Sequence, residues 1–358
     1  MRYKKFSNLK IDIPAIGQGS MGIGGYYSSI NDRDEYFVNI IKKSVEYGMT
    51  LIDTAEIYGN GHSEEIIGKA ISGIRDKVFV ATKVSPENLS YENVLKAAER
   101  SLRRLFTDHI DLYQIHWPNP SVPIEETLRA MSKLMSDGKI AHVGVSNFSM
   151  RQLIEANRIF DNNIASIQIE YNLFDRSMEE DMLQYCTNNG ISIIAYSPLD
   201  GGRFKDNLEK YSILSDIANR YDKTVSQIVL NWIVSNNNVI AIPKAEKEQH
   251  ILQNSLASDF NILAKDSDTI SENFVTKFVE VSPLDIRVDC TGLDSFSPSP
   301  AELADDVFKN GDIKPIRIIR NNNSDCKKYT LVEGKLRYWA WVYAYGSTKS
   351  IKAIVRKI

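Results

Sequence analysis

"NVLKAAERSLRRLFTDHIDLYQIHWPNP", residues 93–120, carries the fold in miniature. Residues 93–106 have helical period, and 110–115 form a short apolar run that reads as a β-strand with His116 at its end. The same step recurs along the chain. Strand-like runs fall at 15–20, 50–54, 78–83, 110–115, 140–145, 165–170, 191–196 and 239–242. Helical patterns lie between them, such as "DEYFVNIIKKSVEYG" and "IEETLRAMSKLMSDG", which close on Gly48 and Gly138. Strand–helix alternation implies parallel strands joined by crossover helices, and eight units suit a closed (β/α)8 TIM barrel. An open doubly wound sheet is the weaker alternative. The stretch "GQGSMGIGG" lacks the G-x-G-x-x-G register followed by an acid about 20 residues on.

Four chemistry-bearing residues sit at or just past strand ends: Asp53, Tyr58, Lys83 and His116. Barrel strands deliver their C-terminal ends to one face, so an acid, a phenol, an amine and an imidazole meet there. Taken singly, each has a plainer reading. Asp53 and Lys83 form a structural ion pair, His116 is a satisfied core histidine, and Tyr58 is an amphipathic surface residue. The joint arrangement favours proton transfer. A nearby Lys83 ammonium is expected to lower the Tyr58 pKa from its usual value near 10, with Asp53 holding Lys83 and His116 donating to a substrate oxygen. None of the four supplies hydride, so carbonyl reduction here implies a nicotinamide cofactor.

With 358 residues the chain has room for a large domain and a smaller one, and its net charge of -3 exerts no global pull on nucleic acid or membrane. Three cysteines without metal-ligand spacing argue against a disulfide framework and against a metal site. The polar N-terminus and the lack of long apolar runs point to a cytoplasmic protein without a membrane partner.

The blocks "LIDTAEIYGNGHSEEIIGKAI", "VATKV", "IDLYQIHWPNP", "KIAHVGVSNFS", "IQIEYNLFDR", "IAYSPLDGG" and "IPKAEKEQHILQN" resemble those of the aldo-keto reductases, in order, over roughly residues 10–260. The resemblance implies a catalytic tetrad of Asp53, Tyr58, Lys83 and His116, with the tyrosine as general acid. It also implies that Ser146, Asn147 and Gln168 hold the nicotinamide carboxamide while Tyr196 stacks on the ring. Gly19, Ser20 and Met21 would lie beside the cofactor, and Ser197, Leu199 and Arg203 along its pyrophosphate. The family's clamp for the adenosine 2′-phosphate falls on Lys244, Ala245 and His250, with Gln253 and Asn254 near adenine. Alanine and imidazole replace a hydroxyl and a guanidinium there, which removes bidentate phosphate recognition. NADPH remains the favoured cofactor, with NAD as a second candidate. Tyr26, Tyr27, Trp117, Asn119, Phe148 and Asp200 are expected to rim a pocket for an aldehyde or ketone, including sugar-like carbonyls.

Beyond the barrel (1–265), the polar stretch 266–277 reads as a linker. Residues 278–358 change character: 308–358 holds twelve lysines and arginines against three acids, suggesting a basic face. Its pattern resembles the small α+β domain shared by ParB-type partition proteins and sulfiredoxin, and implies a nucleotide-binding turn at Gly334, Lys335 and Arg337. Leu336 departs from that pattern, and no cysteine occupies the turn. An appendage for folding or oligomerisation and a nucleotide-binding module both stay open, with DNA the least favoured ligand. The alternative for the whole chain is a cofactor-sensing regulator whose second domain binds nucleotide or DNA.

Overall fold

The computed structural model describes residues 1–9, 11–202, 211–289, 291, 298–311, 313–321 and 327–356. The chain divides into two compact units, Met1–Pro118 with Ile124–Phe274, and Asn119–Pro123 with Val275–Ile358.

The first unit opens with an antiparallel hairpin, β1 (Tyr3–Lys5) and β2 (Asp12–Pro14). Eight parallel strands follow: β3 (Gln18–Gly19), β4 (Leu51–Asp53), β5 (Phe79–Val84), β6 (Ile110–Ile115), β7 (Ile140–Ser146), β8 (Ile164–Glu170), β9 (Ser192–Tyr196) and β10 (Val239–Ala241). They pair in chain order, and a parallel bridge from Ile16 to Ala241 joins the first to the last. The run 15–20 forms only a two-residue strand because most of it serves that closure: Gly17 N donates to Ala241 O, and Ala241 N to Ala15 O. Helices α1 (Asp34–Glu46), α2 (His62–Ile71), α3 (Tyr91–Arg104), α4 (Ile124–Ser136), α5 (Met150–Ile159), α6 (Met182–Asn189), α7 (Ser212–Tyr221) and α8 (Val225–Ile233) fill the crossovers, and α9 (Glu248–Ser255) follows the last strand. Ser149 and Thr224 cap α5 and α8 reciprocally with Gln152 and Gln227.

The polar N-terminus has a structural task. Phe6 and Ile13 are buried in one cluster with Leu51, Phe79, Leu112 and Ile240, all near the starts or middles of barrel strands. The hairpin thus closes the barrel end opposite the strand C-termini. Lys4 Nζ, also buried, donates to the carbonyls of Val234 and Asn236.

The supposed linker is largely a helix, α10 (Ala264–Asn273). Asp266 accepts from Arg220 Nη2 (2.5 Å) and Tyr221 Oη (2.6 Å), while Ile270 and Phe274 are buried. Its polar residues belong to a docked amphipathic helix rather than to free chain, so local polarity misleads here.

The second unit carries α11 (Pro300–Asn310), α12 (Lys335–Tyr345) and a five-stranded sheet. Its strands are β11 (Phe278–Val281), β12 (Ile286–Arg287), β13 (Ile316–Arg320), β14 (Tyr329–Glu333) and β15 (Ile351–Arg356), in the order β11-β15-β13-β14-β12. Ile316, Ile318, Tyr338, Trp341 and Ile351 are among its core residues. Three of the twelve clustered bases are taken up by one acid. Arg317, Arg337 and Arg356 all turn onto the Glu333 carboxylate, and Arg317 is 1% exposed. Charge density along the sequence says nothing of which way the side chains point. Among the described residues, no helix is long and apolar enough to cross a membrane.

Candidate active site

Strand register pairs Asp53 with Ala81 and Lys83 with Gln114, so Lys83 and His116 each stand two residues beyond the partner of the preceding residue, on the same face at or just past the ends of β4, β5 and β6. Tyr58 arrives from a 3-10 turn, Tyr58–Gly61. Gly59, Asn60 and Gly61 have φ of 57°, 54° and 92°, a left-handed run that reverses the chain and turns Tyr58 inward. A side chain at Gly59 would bring its Cβ within 2.5 Å of the Gly24 carbonyl, so both conformation and space demand glycine.

Lys83 Nζ lies 2.6 Å from Asp53 Oδ1, 2.8 Å from the Thr54 carbonyl and 3.5 Å from Tyr58 Oη. The Tyr58 and His116 rings meet edge to face at 5.7 Å, and His116 stacks on Trp117 at 3.7 Å. All four side chains, Asp53, Tyr58, Lys83 and His116, are buried.

Burial governs their protonation. It pushes the Tyr58 phenol well above 10, reinforced by the charge of Asp53. This is the opposite of the lowering expected from Lys83, because desolvation of the phenolate sets the direction. Burial, assisted by Lys83, drives His116 well below 6.5, leaving a neutral imidazole whose Nδ1 is buried without a hydrogen-bond partner among the described residues. Burial also lowers Lys83, against the pull of Asp53.

The next strands bring in the residues expected to hold a nicotinamide. Ser146 ends β7 with Asn147 directly after it, Gln168 lies two residues before the end of β8, and Tyr196 ends β9. Tyr196 Oη donates to Asn147 Oδ1 (2.8 Å), and Asn147 Nδ2 donates to the His116 carbonyl (3.1 Å). Two side-chain amides, a hydroxyl and a half-buried phenol ring are a donor set that fits a carboxamide on a planar ring. Ser20 is buried and joins Ser63 and Thr54 in a hydroxyl chain at 3.0 and 3.1 Å, while Met21 is exposed. Gly19 is buried at the end of β3. Ser197 is exposed and Leu199 half-buried in the turn after β9, and Arg203 lies outside the described residues. Lys244 and Ala245 follow β10, with His250, Gln253 and Asn254 on α9.

Of the pocket residues, Tyr26, Tyr27 and Trp117 are exposed, whereas Phe148 and Asp200 are buried. Asn119 groups with the second unit. In that unit Gly334 turns left-handed into α12. Lys335 Nζ binds Asp289 Oδ2 (3.3 Å) and the Thr291 carbonyl (2.7 Å), while Arg337 Nη1 donates to the Lys314 and Pro315 carbonyls. Both bases thus make contacts within the unit.

Gln114 escapes a motif reading. It is buried on β6, two residues before His116 on the same strand face, with Nε2 3.5 Å from Asp53 Oδ2. Period-two spacing from His116 was the available signal.

A model of the aldo/keto reductase family matches residues 15–273. The chain belongs to the aldo/keto reductase family. It is an NAD(P)H-dependent oxidoreductase that reduces carbonyl compounds. It is 38% identical to methylglyoxal reductase YeaE of Escherichia coli over 247 residues, 68% of this chain and 85% of that one. Over 233 residues it is likewise 38% identical to glyoxal reductase of Bacillus subtilis, covering 64% and 80%. A crystal structure of an aldo/keto reductase from Klebsiella pneumoniae in complex with NADP and acetate superposes with a TM-score of 0.72, at 34% identity, over 76% of this chain and 95% of that one.

Proposed function

We propose that the barrel reduces small aldehydes or ketones with NADPH, Tyr58 serving as general acid. The bound cofactor would supply hydride to the carbonyl carbon. Every other part falls to side chains. The neutral His116 orients the carbonyl oxygen and donates to it, and Tyr58, kept protonated by burial, delivers its proton as negative charge develops there. Lys83, 3.5 Å from Tyr58 Oη, stabilises the phenolate that results, and Asp53 keeps Lys83 ionised and aimed. Ser146, Asn147, Gln168 and Tyr196 would hold the nicotinamide end. The observation that carries this reading is the buried Asp53–Lys83–Tyr58 contact beside an imidazole held neutral.

The names of the relatives suggest small dicarbonyl substrates, and the exposed Tyr26, Tyr27 and Trp117 suit a wider range that includes sugar-like carbonyls. For residues 278–358 we favour a ParB/sulfiredoxin-like module, on the order of its elements alone. The test for the barrel is Tyr58→Phe assayed with methylglyoxal and NADPH. Turnover is expected to fall by roughly 10²–10⁴ with NADPH binding retained. Unchanged turnover overturns the role.

A further inference from the structure

The loop after the eighth barrel strand, where TIM barrels frequently bind phosphate, contains an internal carboxylate. Glu246 Oε1 lies 2.5 Å from Lys244 Nζ, and its other oxygen 3.3 Å from Arg33 Nη1. Arg33 comes from the turn before α1 and is braced by stacking on Tyr36 (4.7 Å) and Phe37 (4.8 Å). Tyr36 Oη donates to the Glu246 carbonyl at 2.6 Å, so the backbone beneath the carboxylate is also fixed. Burial opposes ionisation of Glu246, but Lys244 and Arg33 outweigh it and hold the carboxyl below its usual range.

Resting on the reductase reading above, we propose that Glu246 is a specificity-determining residue for the cofactor's 2′ position. It spans the two cations that would otherwise serve a 2′-phosphate, and so narrows the preference for NADPH over NADH. A phosphate reaching Lys244 and Arg33 must either displace the carboxylate or lie against it, like charge beside like charge. A ribose 2′-hydroxyl meets no such repulsion, and it can donate a hydrogen bond to Glu246. Ala245, with no hydroxyl, and His250, with no guanidinium, do nothing to restore the phosphate's advantage.

The test is cofactor affinity, read from quenching of tryptophan fluorescence in the full chain by NADPH and by NADH. The proteins are wild type, Glu246→Ser and Glu246→Gln, each checked for an unchanged melting temperature. The wild type is expected to bind the two dinucleotides within roughly tenfold of each other, where tenfold is about 1.4 kcal/mol. Both variants are expected to tighten NADPH by about tenfold, as expected for removing one nearby like charge, and to leave NADH level or weaker. Adding Arg33→Ala to Glu246→Ser is expected to erase most of that gain. Two cofactors bound with a ratio unmoved in both variants would overturn the role of Glu246 alone. Failure of the wild type to bind either overturns the reductase reading and this proposal together.

Discussion

Gln168 Nε2 donates to Asp53 Oδ2 at 2.6 Å while Lys83 Nζ holds Oδ1 at the same distance. The carboxylate therefore links Gln168 of β8, proposed to hold the carboxamide, to the strands bearing the proposed proton-transfer groups. Both oxygens are engaged out of water, so the negative charge is matched by one buried ammonium and two amides, Gln168 and the more distant Gln114.

That pairing makes Asp53 costly to neutralise. Asp53→Asn leaves Lys83 as a buried, uncompensated ammonium, and should lower stability by about 3 kcal/mol or more. Adding Lys83→Met to Asp53→Asn should recover part of the loss. Urea unfolding of the two single variants and the double variant measures the coupling. Simple additivity would mean that the ion pair contributes nothing beyond its separate parts.

The protonation states predict a quiet pH profile. Tyr58 titrates well above 10 and His116 well below 6.5, so neither changes state in the neutral range. Neither group should give kcat/KM for reduction a limb between about pH 6.5 and 9; burial lowers Lys83, so a fall on the alkaline side would report loss of its ammonium. Stopped-flow measurement with NADPH would show it. A loss of activity on the acid side of that window, as an ionising His116 would give, would contradict the burial argument.

His62, the first residue of α2, sits between Asp34 (2.7 Å) and Glu65 (2.9 Å). Burial disfavours its charge, but hydrogen bonds to both carboxylates outweigh that, and the net shift is upward from 6.5. A raised folded-state pKa contributes stability that is complete below 6.5 and is lost as pH rises through the folded value. His62→Gln should therefore lower the melting temperature by a few degrees near pH 5.5, on the order expected for about 1 kcal/mol, and by less near pH 9. Equal losses at both pH values would show that the ring acts by packing alone.

In the second unit, Gly334 has φ 97°, and a Cβ there would stand 3.1 Å from both Arg337 Nη2 and Ile316 Cγ2. Gly334→Ala should cost about 1–3 kcal/mol in strain. Hydrogen exchange across 329–345 should rise accordingly. Unaltered protection would mean that the turn relaxes without penalty.

Much of the barrel was legible along the chain because its signals are local. The run 110–115 is β6 without adjustment, the pattern closing on Gly138 is α4, and the ends of β4, β5 and β6 put Asp53, Lys83 and His116 on one face. The reading failed where local character and tertiary role diverge. Residues 264–273 are polar yet helical, because one stripe, through Asp266 and Ile270, docks on α7 and its neighbours. The direction of the Tyr58 shift was also misread, since a lysine's nearness can be inferred from sequence but the depth of burial cannot.

The sequence by itself determined the eight-fold alternation, the kinds of chemical group at the strand ends and the turns that require glycine, because each depends on residues a few positions apart. Only the tertiary structure decided what those groups touch. Gln168 meets Asp53 across 115 positions, Glu246 meets Arg33 across 213, and three arginines of the second unit converge on Glu333. Such contacts are set by strand register, barrel closure and the depth at which charges are stripped of water. No local periodicity encodes these, although they set the protonation states of Tyr58, Lys83 and His116.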